Sequence, residues 1–71
     1  MTYQEFKSVV LHKPEDMEEK LYNYGYTCGQ RNVLNFEIIE QAFYIYNYSK
    51  KARLYYMRKI LRGFQEGCAS R

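Results

Sequence analysis

Between Ser49 and Phe64 the apolar and cationic residues separate onto opposite sides of a helical wheel, and this periodicity constrains the fold more than any other feature of the chain. With Lys50 at zero and about 100° per residue, Leu54, Tyr56, Met57, Ile60, Leu61 and Phe64 share one arc. Lys51, Tyr55, Arg58, Lys59 and Arg62 share the other. The first arc is expected to pack on a core. The second sets four cations around one tyrosine ring on the side left to water, a surface suited to a phosphate backbone. No acid stands inside the 51–62 stripe to neutralise it. The helix dipole accounts for cations in the last turns, Arg62 and Lys59, without any ligand, but not for Lys51 and Arg58.

The rest of the chain shows the same helical period. Thr2 followed by Glu5 forms a capping box ahead of Phe6, Val9, Val10 and Leu11, predicting a short first helix. Pro14 is expected at the first position of a second helix, with Glu15, Asp16, Glu18 and Glu19 where the dipole favours anions and Met17 and Leu21 on one face. That helix is expected to end near Gly25, leaving residues 25–32 as a connection. Asn32 or Asn35 caps a third helix whose buried arc is Ile38, Ile39, Ala42, Phe43, Ile45 and Tyr46, with Glu37, Glu40 and Gln41 outward. Tyr44 to Tyr48 has strand-like composition, but the surrounding 3.6 period outweighs it. Ser49 caps the last helix, and Gly63 or Gly67 signals its end. The expected fold is all-α, a bundle of about four helices in a single domain spanning residues 1–71. A chain of 71 residues buries only about 60% of its unfolded surface, too little for a large enzyme cleft.

The layout of the last two helices resembles a known family. Tyr56, Ile60 and Phe64 stand four apart in "YMRKILRGF", with "FEIIEQAF" about twenty residues upstream, and this pattern is similar to the C-terminal domain of DnaD-type replication proteins. The resemblance runs over roughly residues 14 to 67. It differs in that Phe64 stands where the family carries tryptophan, and neither the family's winged-helix domain nor its basic tail is recognisable within these 71 residues. The resemblance implies an all-helical module acting in primosome assembly or helicase loading, with DNA and a replication or other host protein as partners. A free-standing copy would suit a phage or mobile element. By their spacing alone, Tyr56, Ile60 and Phe64 read as core residues.

Charge is uneven: residues 1–30 carry three lysines and five acids, net −2, and residues 31–71 carry eight cations and three acids, net +5. The total of +3 is unexceptional, so an anionic partner has to be argued from local clustering. Nine tyrosines are a heavy load for this length. Tyr44 and Tyr48 fall beside Glu40 and Gln41, outside the expected core, and read with Tyr55 as contact residues; Tyr22, Tyr24 and Tyr56 read as rims of the core. A second class of function is therefore a small protein-binding adaptor or inhibitor that works through Tyr44 and Tyr48 and touches no nucleic acid.

No catalytic constellation is recognisable. His12, beside Lys13 and Pro14, has no partner carboxylate or hydroxyl in a known arrangement, and Gly25 and Gly29 lack the lysine and serine of a phosphate-binding loop. No metal-ligand spacing and no cofactor motif is present; Cys28 and Cys68 are expected as reduced thiols. The N-terminus has no signal-peptide pattern and no run is long and apolar enough to span a bilayer, so a cytoplasmic location is expected.

Overall fold

The computed structural model describes all residues, Met1–Arg71, as four helices and no strand: α1 (Tyr3–His12), α2 (Met17–Arg31), α3 (Phe36–Ile45) and α4 (Lys50–Ala69). The expected all-α architecture is what forms. The Thr2–Glu5 capping box closes the start of α1 from both sides. The Asn35 side chain accepts from the backbone N–H groups of Glu37 and Ile38, and Ser49 accepts from Ala52. Three helices stop where the chain turns left-handed. Lys13 (φ 51°) ends α1 and Asn32 (φ 56°) ends α2, while Asn47 (φ 64°) follows α3. At Lys13 and Asn32 the cap N–H returns to the last-turn carbonyls, as helix C-terminal motifs require.

The core is formed by Phe6 and Val10 from α1, Leu21 from α2, Ile39 and Phe43 from α3 and Ile60 from α4, all essentially inaccessible. Phe6 stacks on Tyr24 (ring centroids 4.7 Å apart) and meets Phe43 edge-on at 5.8 Å, so one aromatic side chain joins three helices. At about 1.5 Å per residue the 20 residues of α4 extend roughly 30 Å. They span most of the 34 Å long axis of the molecule, and α4 packs mainly on α2.

That packing corrects the reading of the glycines. Gly25 and Gly29 are internal to α2, which runs on to Arg31, so residues 25–31 are helix and the connection shrinks to 32–35. Gly63 and Gly67 are likewise internal to α4. All four are packing surface. A Cβ on Gly25 would collide with the carbonyl of Ile60, lying 2.8 Å from its carbon; one on Gly63 would collide with the carbonyl of Tyr22, 2.9 Å from the Tyr26 nitrogen. Gly29 faces Phe64 and Gly67, and Gly67 faces Tyr26. Residue numbers rise together along these contacts, so α2 and α4 run in the same direction, with α3 as the return path. Four glycines inside helices cost roughly 0.5–1 kcal/mol each against alanine, and backbone-to-backbone packing along the seam offsets this.

Other expectations shift with this geometry. Pro14 lies before α2, in a turn closed by the Met17 N–H to its carbonyl (3.1 Å), and the helix starts three residues later. Leu11, Ile45 and Leu54, assigned to apolar arcs, are 50%, 66% and 56% exposed. Each lies at the edge of its arc, and with only four short helices no further element exists to cover it. Tyr48, expected outside the core, is buried: its ring meets Phe43 edge-on at 5.0 Å and its hydroxyl donates to the Val10 carbonyl at 2.7 Å. Burial pushes its hydroxyl up to about 12, and does the same for Tyr24.

Two predictions follow from this packing. Gly63→Ala would stabilise an isolated helix by about 1 kcal/mol, but here it is expected to destabilise by about 1–3 kcal/mol in urea unfolding, because the seam must open. Raised tyrosine values mean that the neutral hydroxyls belong to the fold. Their contribution is complete below the ordinary value of 10.0 and lost as pH rises towards about 12. Tyr48→Phe is expected to cost about 1 kcal/mol below that range, and thermal melts across it should show the gap from wild type narrowing.

Candidate nucleic-acid interface

The five residues of the basic arc do not form one uniform surface. Because Tyr22 meets Gly63 and Tyr26 meets Gly67, the start of α2 lies beside the middle of α4. The acidic first turn of α2 is thereby set against Tyr55 and Lys59. The Tyr55 hydroxyl donates to the Glu18 carboxylate, which holds the phenol above its ordinary value, and the Lys59 Nζ lies 3.7 Å from the same carboxylate and 5.1 Å from the Tyr55 ring. Arg62 shares a surface cleft with Glu18, Glu19, Tyr22, Lys59 and Glu66. Within that cleft the Tyr22 hydroxyl donates to Glu66, which raises its value in turn. Lys59 and Arg62 therefore sit among carboxylates. Glu66, four residues after Arg62, was the signal within α4; Glu18 and Glu19 were invisible to any single-helix wheel.

Lys51 and Arg58 are different. Both are exposed and, like Arg62, make no ion pair, but no acid lines the surface beside them. They share an open groove with Ser49, Ala52, Leu54, Tyr55 and Tyr56. Its apolar wall is substantial, with Leu54 56% and Tyr55 48% exposed. Tyr55 is braced from behind: its ring meets Tyr56 edge-on at 5.3 Å, and Tyr56 stacks on Phe43 at 6.1 Å, so an aromatic chain runs from the core to the groove. Leu54, assigned by the wheel to the packing arc, is a groove residue.

The groove lies at the N-terminal half of α4, whose first residues extend past the start of α2. Lys50, Lys51 and Arg53 crowd the first turn without any acid among them. Cations there oppose the helix dipole, by about 0.3–1 kcal/mol apiece at low salt, an arrangement that an arriving anion relieves. Arg53 is committed locally: it stacks over the Tyr44 ring at 5.3 Å and donates to the Tyr48 carbonyl at 3.4 Å. Of the two tyrosines assigned to partner contact, Tyr44 is 70% exposed and Tyr48 belongs to the core.

Tyr56, Ile60 and Phe64 divide by depth. Ile60 is fully buried over Gly25, Tyr56 is half-buried on Phe43, and Phe64 is half-buried beside Gly29. Ile60 and Tyr56 pack on the core, whereas Phe64 meets Gly29 through its backbone carbonyl. No group of His, Cys, Asp and Glu is placed to hold a metal ion, and no helix is long and apolar enough to cross a membrane. The chain matches no protein-family model, no curated protein and no solved structure. The likeness to DnaD-type domains thus rests on the residues quoted above.

Ile60→Ala is expected to destabilise by about 2–5 kcal/mol, whereas Leu54→Ala, six residues earlier on the same nominal arc, should stay within about 0.5 kcal/mol. Chemical denaturation of the two variants distinguishes a core position from a groove wall.

Proposed function

We propose that this protein is a nucleic-acid-binding module that acts in DNA replication, of the primosome or helicase-loading type that its resemblance to DnaD-type domains implies, in a phage or mobile-element setting. The observation that carries the proposal is the groove: two uncompensated cations, Lys51 and Arg58, flank an exposed leucine and a braced tyrosine at the cationic end of α4. Cations placed two turns apart engage successive phosphates, and an aromatic face between them stacks on an unpaired base, worth about 1–3 kcal/mol per base. A single strand, with its bases free to splay, uses both features; a duplex uses only the cations. Lys59 and Arg62 contribute field to this surface rather than direct contacts, because Glu18, Glu19 and Glu66 offset them.

A second reading, a protein-binding adaptor or inhibitor, is favoured by one observation: the outer side of α3 exposes Phe36, Tyr44 and Ile45 around Glu37 and Glu40. The buried Tyr48 takes no part in it.

Fluorescence anisotropy with short labelled single- and double-stranded DNA tests the proposal. Wild type is expected to bind the single strand at micromolar levels in low salt. For single strands the slope of log K against log salt is about −0.7 per phosphate contact, so K51E/R58E should bind more weakly at every salt concentration, with a slope shallower by about 1.4. Arg62→Glu should weaken binding far less. K51E/R58E should melt no lower than wild type, since an acid in the first turn of α4 suits the helix dipole, and R62E slightly lower, since it adds a charge to a cleft of carboxylates, so the weaker binding of K51E/R58E is not loss of the fold. Absence of binding at low salt, or equal loss with R62E, contradicts the proposal.

A further inference from the structure

The outer side of α3 exposes a run of large apolar side chains that no other helix covers. Phe36 is 46%, Tyr44 70% and Ile45 66% exposed, and Val33, just before the helix, is 65% exposed. Glu37, Glu40 and Gln41 complete this side, and α3 contains no basic residue. The face is apolar and carries the carboxylates of Glu37 and Glu40, with the Arg53 guanidinium over the Tyr44 ring at its edge. The groove of α4 has the inverse character: Leu54 and Tyr55 between Lys51 and Arg58, with no acid from Lys50 to Gln65 and one carboxylate, Glu18 of α2, held by the Tyr55 hydroxyl at its edge. The two surfaces share no residue. Within one molecule they cannot meet, because α3 and α4 are joined by four residues and held side by side through Arg53 on Tyr44.

We propose that the α3 face of one copy of this chain docks on the α4 groove of a second copy. Charge selects the occupant: each surface repels its own kind and complements the other, so the contact is heterologous, head to tail. Glu37 and Glu40 meet Lys51 and Arg58, while Phe36, Tyr44 and Ile45 cover Leu54 and Tyr55. A heterologous contact leaves one free surface of each kind at the ends of a dimer, so assembly continues into short chains or closes into a ring. Six or seven residues line each side, well below the 20–30 of a stable complex, and the association is accordingly weak and concentration-dependent. The docked copy and a nucleic acid would occupy the same groove and exclude one another; only this consequence rests on the function proposed above.

Sedimentation velocity without nucleic acid tests the association by itself. Between about 10 μM and 1 mM the average mass of wild type is expected to rise above the 8.7 kDa of a monomer. E37K/E40K alone and K51E/R58E alone should remain monomeric, and their equimolar mixture should associate again, since the reversed faces complement each other. Ile45→Ser, which leaves all charges in place, should weaken wild-type association several-fold with unchanged circular dichroism. A wild type monomeric at about 1 mM, charge variants that associate as wild type does, or a mixture that stays monomeric overturns the proposal. A failure to associate leaves the DNA titration unaffected, and a failure to bind DNA leaves this experiment unaffected.

Discussion

The direct backbone contact between α2 and α4 is the interaction on which the rest of the structure depends. Small side chains let two helices approach until carbonyl oxygens of one lie against the Cα atoms of the other, and here each helix contributes two glycines four residues apart. The arrangement needs both members: glycines on α2 alone would leave the side chains of α4 standing off, and the intrinsic helix penalty would go unmet. Because Gly25 fits under Ile60 and Gly63 under Tyr22, the register of the two helices is set to within a residue. A parallel pair also demands a return element, and α3 supplies it.

That register decides the chemistry of the surface. It brings Glu18 to Tyr55 and Lys59, and Glu66 to Tyr22, so carboxylates meet the arc at Tyr55 and Lys59 and line the cleft beside Arg62. What remains uncompensated is the end of α4 that runs beyond α2, where Lys51 and Arg58 stand beside Leu54 and Tyr55. A groove of this kind arises from offset: had the helices been flush, the acidic start of α2 would have covered the cationic start of α4. The aromatic chain from Phe43 through Tyr56 to Tyr55 ties the groove to the core, so the proposed stacking surface is held by the same side chains that hold the fold.

Much of this was legible in the residues. The capping signals at Thr2, Asn35 and Ser49, the helical period of α3 and α4 and the burial of Ile60 follow from local chemistry, and local chemistry is what a single sequence displays. The glycines were not legible. Gly at i and i+4 ends a helix in one context and packs it in another, and the choice depends on a partner glycine pair about forty residues away. Tyr48 misled for a related reason: it follows α3, outside the period that defined the arc, and the left-handed Asn47 turns it back under Lys13. The division of the basic arc likewise depends on Glu18 and Glu19, which belong to another helix. Helix faces can be read one at a time; what faces them cannot.

The most direct test of the proposed groove is a backbone chemical-shift titration with a short single-stranded oligonucleotide. At a concentration low enough for the protein to be monomeric, the perturbed amides are expected to cluster at Lys51, Leu54, Tyr55 and Arg58, with Gly25 and Gly63 unmoved in the seam and Phe36 to Ile45 unaffected. Perturbation centred on α3 or on the Arg62 cleft, or none at all, would contradict the proposal.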